Sequence, residues 1–539
     1  MNKCAQYDII IQNGLIIDGT GKESFKSDIG IIGDRIISID NLKLCSARII
    51  IDASNLIVSP GFIDVHTHTD KHSAFFPTAE GKVMQGVTTD ICGLCGSSFA
   101  PIGRDGLEEY GLRNSDLLTK GLQNPFREIT FKEFLDDTNH RGNATNMGMF
   151  VGNANLRLSF TQYEKRELTK EEMDKMKLML HYSMEQGAFG LSTGLTYVPS
   201  MFSTTEELIE LSKVIAQFKG IYNSHMRNEG NEVITSIEEV IRIVRESGCL
   251  GHISHLKILG RKNHGKSDKC LDIINNANSE GIKITFDVYP YNAGSTSLST
   301  LLPSWVRSKG FDEDFSVFKE YRDRIIEDIN KEDWDNLIIS CGYENIFIGN
   351  SEGNPFYEGK SISQIAKALG FEEVDTLFKI IKDSNSQATM IYHAISDDDL
   401  KNFMKHPYCM IGTDAYTRHY VGPTAEGKPH PRNYGAFPRY IRKYIFEDKL
   451  FSLEEGIRKI TGLAADTFGI LNRGVIKENN FADLTIFDPN TINEIGDYNK
   501  PNIKPEGISW VLINGKIVVK EGEFNNIAVG KMLKFRRLH

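Results

Sequence analysis

The feature that most constrains the fold is a regular alternation, through the middle of the chain, of short apolar segments with longer amphipathic ones. This pattern is typical of parallel strands whose sheet is covered by helices. Eight strands are predicted, and eight is the number that closes a TIM (β/α)8 barrel. The predicted strands are residues 58–65, 86–92, 147–152, 188–193, 220–224, 250–254, 282–288 and 410–413. The chain is therefore assigned to the α/β class, with a TIM barrel as its main architecture.

Both ends of the chain have a different texture, which is rich in short strands. Residues 7–57 alternate apolar and polar positions between glycine-containing turns, and residues 482–487 and 508–513 repeat that pattern. Asn514-Gly515, directly after the last of these segments, is a hairpin-turn signal. Because chain termini commonly lie close together, we expect both ends to form one small β-barrel or sandwich domain.

Three segments follow from this division of the chain. Residues 1–57 are predicted to be the N-terminal part of the small β domain, residues 58–470 the TIM barrel, and residues 471–539 the C-terminal part of the β domain. The connection after the seventh predicted strand is much longer than the others. We predict a lid-like insertion over residues 290–350, since long excursions of this kind are often functional.

The composition excludes several classes of partner. The chain has 539 residues and a formal net charge of −10 without a long run of one sign, which argues against nucleic acid and anionic membranes. No apolar stretch approaches the roughly 20 residues of a membrane helix, and the first residues lack an apolar signal core. Eight scattered cysteines do not resemble a disulfide framework, so each is interpreted as a buried thiol or a ligand. We predict a cytoplasmic protein that acts on a small molecule, and the sequence leaves its oligomeric state open.

Metal-binding side chains occur where the predicted barrel strands end. TIM barrels carry their catalytic groups at the C-terminal ends of the strands. Imidazole, thiolate and carboxylate, which occur together at these strand ends, are the ligands that zinc prefers. The candidates are His66, His68, Cys95, His225, His255 and Asp414.

Local spacing supports the two motifs at the first two strand ends. His66 and His68 are two residues apart, so on a strand they point the same way and can hold one ion together. Cys92 and Cys95 form a CxxC motif, which is also found in redox pairs and structural zinc sites. The sequence has no second CxxC and no thioredoxin-like flank. We therefore interpret Cys95 as a metal ligand and Cys92 as a small buried side chain.

Longer motifs carry a resemblance to a known family over nearly the whole chain. They are PGFIDVHTHTD, GVTTDICGLCGSSFAP, GAFGLSTGLTYVPS, SHMRNEG, HISHLK, DVYPYNAGSTS, GTDA and HPRNYGAFPR. With these motifs the chain resembles the amidohydrolase superfamily and, within it, the N-acyl-D-amino acid deacylases, also called D-aminoacylases. The resemblance implies a TIM barrel with a small β-barrel built from both chain ends. It also implies hydrolysis of N-acyl-D-amino acids to a carboxylate and a free D-amino acid, and the stereochemistry is implied by the resemblance alone.

The resemblance also implies how the metal ligands are divided. Many members of the wider superfamily bridge two metals with a carboxylated lysine on strand four, but residues 187–194 contain no lysine. By resemblance, Cys95 takes this place and joins His225 and His255 on one tightly bound ion. A second position, more weakly occupied, is formed by His66, His68 and Asp414. A thiolate ligand favours Zn²⁺ over magnesium or calcium.

A mechanism and a substrate-binding group follow from these roles. Zinc is expected to lower the pKa of bound water towards about 7 and to polarise the substrate carbonyl. Asp414 is the expected general base, and it then returns the proton to the departing amine as general acid. Three positions match the family's carboxylate-binding residues: Lys257, Tyr289 and Arg432. Ser295 is a weaker candidate near the same loop.

Two other functions are compatible with parts of the pattern. A cyclic-amide hydrolase of the dihydroorotase or hydantoinase kind would share the barrel and the histidines, but the missing strand-four lysine and the presence of Cys95, HLK and HPR argue against it. A non-catalytic barrel that serves as a scaffold is the other alternative. Every expected metal and base position is filled, which argues against this second alternative.

Overall fold

The computed structural model describes residues 6–108, 126–332 and 334–536. Within these residues, parallel strands at eight consecutive positions form the predicted TIM barrel. A parallel bridge between Thr67 and Ala415 joins the first position to the last, and the Asp414 backbone N–H donates to the carbonyl of His66 over 2.8 Å. The barrel strands are Phe62–Asp64, Val87–Cys92, Asn146–Met149 with Val151–Gly152, Gly190–Gly194, Ile221–His225, Leu250–Ile253, Ile284–Val288 and Cys409–Ile411.

The first predicted strand, residues 58–65, is divided between two sheets. Ile57–Pro60 pairs antiparallel with Leu484–Phe487 of the C-terminal region, whereas Phe62–Asp64 pairs with the second barrel strand. Gly61 lies between them, and a Cβ there would come within 2.2 Å of the Thr88 side chain. The chain thus passes from one sheet to the other inside a continuous apolar run, which explains why the sequence pattern predicts a single strand.

Segments from both chain ends share one sheet, as predicted. The seven strands of this sheet, in spatial order, are Glu523–Phe524, Lys516–Lys520, Ile508–Ile513, Leu484–Phe487, Ile57–Pro60, Leu15–Ile16 and Phe25–Lys26. A second sheet has the order Arg35–Asp40, Asp28–Ile32, Tyr7–Gln12 and Ala47–Asp52. The hairpin at Asn514-Gly515 is confirmed, because both residues have the positive φ that a two-residue hairpin turn requires, 50° and 73°.

Among the cysteines that the structure describes, one differs from its predicted state. Cys45, which precedes the strand Ala47–Asp52, is disulfide-bonded. The interpretation of every cysteine as a buried thiol or a ligand is therefore wrong for Cys45, since scattered spacing in the sequence does not reveal a single bridge. The two boundaries between the three predicted segments, at residues 57 and 470, stay a prediction.

The excursion between the seventh and eighth barrel strands is a folded layer. Its three antiparallel strands are Gly294–Ser297, Thr389–Tyr392 and Ile346–Asn350, in that spatial order. Buried apolar side chains between these strands and the adjoining helices form a core of their own. The layer extends past residue 350, where the predicted insertion ended, because its central strand comes last in the sequence. A lid-like role for this layer stays a prediction.

Helices surround the barrel and fill the excursion. The α-helices around the barrel are Thr69–Ser73, Phe131–Arg141, Asn153–Thr161, Lys170–Gln186, Thr205–Ala216, Val233–Ser247, Ser267–Ser279, Asp397–Lys405, Arg432–Arg439, Leu453–Lys459 and Gly462–Thr467. Those within the excursion are Ser304–Lys309, Val317–Glu320, Arg322–Ile329, Leu337–Cys341, Ile362–Leu369 and Glu373–Asp383. Tyr440–Glu447 is a π-helix. Among the described residues, none of the helices combines the length and apolarity needed to cross a membrane.

Candidate metal centre and active site

The predicted ligands meet at the C-terminal mouth of the barrel. They form two groups that share one thiol, and within each group the ligand atoms lie within 4.8 Å of one another. The first group is His66, His68, Cys95 and Asp414, and the second is Cys95, His225 and His255. Six residues that are up to 348 positions apart in the sequence are thus brought to one place by five different barrel strands.

The spacing of these atoms fits zinc. Cys95 Sγ is 3.3 Å from His66 Nε2 and 3.4 Å from His255 Nε2. Asp414 Oδ1 is 3.1 Å from His68 Nε2 and 3.5 Å from His66 Nε2. Two ligand atoms on one tetrahedral zinc ion lie about 3.3 to 3.7 Å apart, given Zn–N and Zn–S bonds of about 2.0 and 2.3 Å. The distances and the N, S and O donor set therefore both suit this ion.

Three of the ligands have an unusual backbone conformation. Cys95, His255 and Asp414 have φ values of 50°, 34° and 50°, in the left-handed region that side-chain-bearing residues rarely adopt. The backbone of Cys95 is closely packed, because a Cβ on Gly194 would come within 2.2 Å of the Cys95 carbonyl oxygen. Strained backbone is concentrated at functional sites, where the surrounding structure holds a side chain in the orientation the chemistry needs.

Electrostatics keep the thiol and the carboxylate ionised. Burial alone would raise the pKa of the Cys95 thiol, but the imidazoles of His66 and His255 lower this pKa well below its usual range. Burial would also raise the pKa of Asp414, and the guanidinium of Arg432 together with a hydrogen bond from His68 holds this pKa well below the usual range instead. Both groups are therefore anionic at neutral pH, which is the state in which they bind metal.

Two buried carboxylates that the sequence analysis did not single out contact metal-binding histidines through the ring nitrogen that faces away from Cys95. Asp287 Oδ2 lies 3.3 Å from His66 Nδ1, and Glu229 Oε1 lies 3.1 Å from His255 Nδ1. Burial opposes ionisation of Glu229, but the ammonium of Lys257 and the nearby imidazoles lower its pKa to about 2. Carboxylates in this position fix the orientation of metal-binding imidazoles. Both residues belong to motifs of the family resemblance, SHMRNEG and DVYPY, which was the available signal.

The predicted substrate-binding residues also lie together beside the metal ligands. Arg432 Nη1 is 2.8 Å from Asp414 Oδ2, and the Arg432 guanidinium carbon is 4.9 Å from the centre of the Tyr289 ring. Lys257 Nζ is 5.7 Å from the centre of the same ring. Ser295 contacts Arg432 through its backbone carbonyl, which accepts from Nη2 over 3.2 Å. The structure thus brings the four residues together, and their role in binding substrate stays a prediction.

A cavity of about 680 Å³ adjoins the second metal-ligand group. Both apolar and charged side chains line it, and they come from barrel loops and from the excursion after the seventh strand. They include Tyr197, His225, Leu259, Arg307, Asp335 and Tyr392. The size of this cavity is within the range of small-molecule sites, and its position beside His225 connects it to the candidate metal centre.

Comparisons with known proteins agree with this geometry. Residues 362–519 match the family model "Amidohydrolase family". The chain is 32% identical to the D-aminoacylase of Alcaligenes xylosoxydans xylosoxydans, over 98% of this chain and 97% of that protein. It is also 32% identical to the N-acyl-D-glutamate deacylase of the same organism, over 94% and 93% of the two chains.

A solved structure extends the agreement to three dimensions. It is the N-acyl-D-glutamate deacylase of Bordetella bronchiseptica, complexed with zinc and a phosphonate inhibitor that mimics the tetrahedral intermediate. The similarity has a TM-score of 0.81 at 30% identity and covers 98% of this chain and all of that one. A D-hydantoinase from Thermus sp. has a TM-score of 0.53 at 16% identity, which shows a common fold alone.

The barrel and its clustered histidine, thiol and carboxylate side chains define an enzyme of the amidohydrolase class. The similarity over almost the whole length of the chain identifies one family within this class. The chain belongs to the family of D-aminoacylases and N-acyl-D-amino acid deacylases.

Proposed function

We propose that this chain is a zinc-dependent deacylase that hydrolyses the amide bond of N-acyl-D-amino acids. The observation that carries the proposal is the place of Cys95, whose thiolate is common to both ligand groups at the barrel mouth. Cys95, His225 and His255 hold the tightly bound ion in this proposal. The second position is assigned to His66, His68 and Asp414. The zinc and phosphonate present in the Bordetella bronchiseptica deacylase support this assignment.

The side chains around the ligands suit an acyl-transfer reaction to water. Zinc, when bound, supplies a Lewis acid that acidifies water and polarises the acyl carbonyl. In this proposal Asp414 takes the proton from the attacking water and delivers it to the departing amine nitrogen. Its Oδ1 lies at the ligand cluster, while its Oδ2 is held by Arg432, so one carboxylate connects the metal centre with the substrate-binding residues.

The α-carboxylate of the substrate is assigned to the cationic side chains beside Tyr289. Arg432 can bind both oxygens of a carboxylate because its guanidinium presents parallel N–H donors. Lys257 lies on the same ring and contributes a second positive charge. Ser295 positions Arg432 through its backbone carbonyl. The adjoining cavity, between His225 and Tyr392, is assigned to the rest of the substrate.

The two alternative functions have weaker support. Relatives that act on cyclic amides are more distant, as with the dihydroorotase of Bacillus subtilis, which is 20% identical over 52% of this chain. The barrel strand Gly190–Gly194 also lacks the lysine of the wider superfamily. A non-catalytic scaffold would not need six metal-binding side chains in one cluster.

We further propose a cytoplasmic location and a small-molecule substrate with no nucleic-acid partner.

A substrate panel tests the proposal. The purified chain is assayed with N-acetyl-D-amino acids, their L-enantiomers, hydantoins and dihydroorotate, and zinc is measured in the same sample. We expect hydrolysis of the D-enantiomers, loss of this activity on chelation and its recovery with added zinc. Preferential hydrolysis of a cyclic amide or of the L-enantiomers would contradict the assignment.

A further inference from the structure

A buried carboxylate lies behind the zinc ligands of the tightly bound position. Glu229 is 2% exposed, and its Oε1 is 3.1 Å from His255 Nδ1 and 2.6 Å from Lys257 Nζ. Its Oε2 is 3.9 Å from His225 Nε2. We propose that Glu229 is a positioning residue that fixes the metal-binding orientation of His255 and at the same time directs Lys257 towards the substrate. The inference rests on the proposed function and extends it to a residue outside the ligand set.

The hydrogen-bonding capacity of the imidazole requires an acceptor at this place. Cys95 Sγ is 3.4 Å from His255 Nε2, so Nε2 is the nitrogen that faces the ligand cluster. A neutral imidazole that offers the lone pair of Nε2 to a metal carries its hydrogen on Nδ1. That N–H needs an acceptor, and an ionised carboxylate only accepts. Glu229 fills this requirement, whereas the ammonium of Lys257, which only donates, cannot.

The hydrogen on His255 Nδ1 also determines which N–H of Lys257 has no acceptor. An ammonium has three N–H donors, and Lys257 Nζ is within hydrogen-bonding distance of Glu229 Oε1, the His255 carbonyl and His255 Nδ1, at 2.6, 3.0 and 2.8 Å. When His255 Nδ1 donates to Glu229 it no longer accepts from Lys257. One N–H of Lys257 is then available to another acceptor, and Lys257 Nζ lies 5.7 Å from the centre of the Tyr289 ring, beside which the substrate carboxylate is assigned. Zinc coordination and substrate binding are thereby connected through one carboxylate.

The loop that carries Glu229 is held firmly enough to position a ligand. The side chain of Asn228 accepts from the backbone N–H groups of Gly230 and Glu232 over 2.9 and 3.0 Å. The carbonyl of Glu229 accepts from the backbone N–H of Leu259 over 2.8 Å, which ties the loops after the fifth and sixth barrel strands together. Because these are the loops of His225 and His255, Glu229 is fixed relative to both imidazoles.

Zinc affinity is the first test, because it needs no substrate. The zinc dissociation constant of Glu229→Gln is measured by competition with a chromogenic chelator. We expect it to rise about 10- to 100-fold, the usual effect of removing the acceptor behind a metal-binding histidine. The matched control is Glu207→Gln, because Glu207 is also buried and paired with a cation, Arg157, on the helix Thr205–Ala216. The control should bind zinc as the wild type does.

The visible spectrum of the cobalt-substituted protein separates positioning from general destabilisation. We expect Glu229→Gln to shift the ligand-field bands, since a reoriented imidazole changes the coordination geometry, and Glu207→Gln to leave them in place. If Glu229→Gln does not fold, Glu229→Asp is used, because its shorter carboxylate keeps the charge but retreats from His255 Nδ1. Wild-type zinc affinity and an unshifted spectrum in the folded variant would overturn the proposal. Failure of the proposed function would instead appear as an inactive, zinc-loaded wild type.

Discussion

Arg432 Nη1 lies 2.8 Å from Asp414 Oδ2, which joins the residue assigned to the substrate carboxylate with the residue assigned as general base. Burial would lower the pKa of Arg432, but the Asp414 carboxylate outweighs this and raises the pKa. The guanidinium is thus charged in an interior position where it is 6% exposed. In the proposed function, this cation is already oriented beside the metal ligands to bind the substrate carboxylate.

Replacing this arginine should weaken substrate binding specifically. Arg432→Lys is expected to raise the KM for an N-acetyl-D-amino acid about 10- to 100-fold, since charge-assisted hydrogen bonds contribute about 1.5 to 3 kcal/mol. The measurement compares the free acid with its primary amide. The KM for the amide should rise much less, because the amide has no carboxylate for Arg432 to bind. The control Arg458→Lys alters an arginine that pairs with Glu455, and it should behave as wild type. An equal loss on both substrates would contradict the assigned role.

Removing the proposed general base should abolish turnover without unfolding the chain. Asp414→Asn keeps the size of the side chain and removes its basicity, and we expect kcat to fall about 10²- to 10⁴-fold. Steady-state kinetics measure this fall, and circular dichroism with thermal unfolding checks the fold. Asp488→Asn, which changes an aspartate that caps the backbone of Asn490, is the control. Unchanged turnover in Asp414→Asn would remove this residue from the mechanism.

The two cysteines of the CxxC motif should behave differently. Burial raises the pKa of Cys92 well above its usual range, whereas the imidazoles around Cys95 hold its pKa well below. We therefore predict that Cys95→Ala loses bound zinc, while Cys92→Ala retains it with some loss of stability. The prediction is checked by measuring the zinc content of both variants after gel filtration. Full zinc retention in Cys95→Ala would show that the thiolate is not a ligand.

Stability should depend on pH through Asp335, which lines the cavity. Burial, reinforced by the carboxylate of Glu229, raises the pKa of Asp335 to about 7 in the folded state, compared with about 3.9 when unfolded. The protonated form therefore favours the fold, and this contribution is lost as the pH rises from about 4 through 7. Asp335→Asn should have a higher thermal midpoint than the wild type at pH 8, and the difference should shrink at pH 5. A difference that does not change with pH would contradict this assignment.

Much of the fold was accessible from the sequence because its determinants are local. Strand-ending histidines such as His225 and His255 follow short buried strands that helical segments separate, and a parallel barrel collects all such ends at one mouth. The sheet change at Gly61 was not accessible, since both strands are apolar and the separation depends on partners more than 20 residues away along the chain.

The carboxylates that contact the metal-binding histidines could not be assigned a role from the sequence. Glu229 and Asp287 lie in the motifs SHMRNEG and DVYPY, but their roles depend on contacts with His255 and His66. These partners are 26 and 221 residues away in the sequence. No local periodicity encodes such a contact. The predicted end of the excursion, at residue 350, was too early for the same reason. Its central strand, Thr389–Tyr392, pairs with segments that precede it by many residues.

The central claim is that zinc is bound through the sulfur of Cys95 together with the imidazoles of His225 and His255. X-ray absorption at the zinc edge tests it most directly on the zinc-loaded wild type. We predict a sulfur shell of one atom at about 2.3 Å beside nitrogen and oxygen neighbours at about 2.0 Å, and no sulfur shell for any residual zinc in Cys95→Ala. A spectrum of the wild type that contains nitrogen and oxygen neighbours alone would contradict the account.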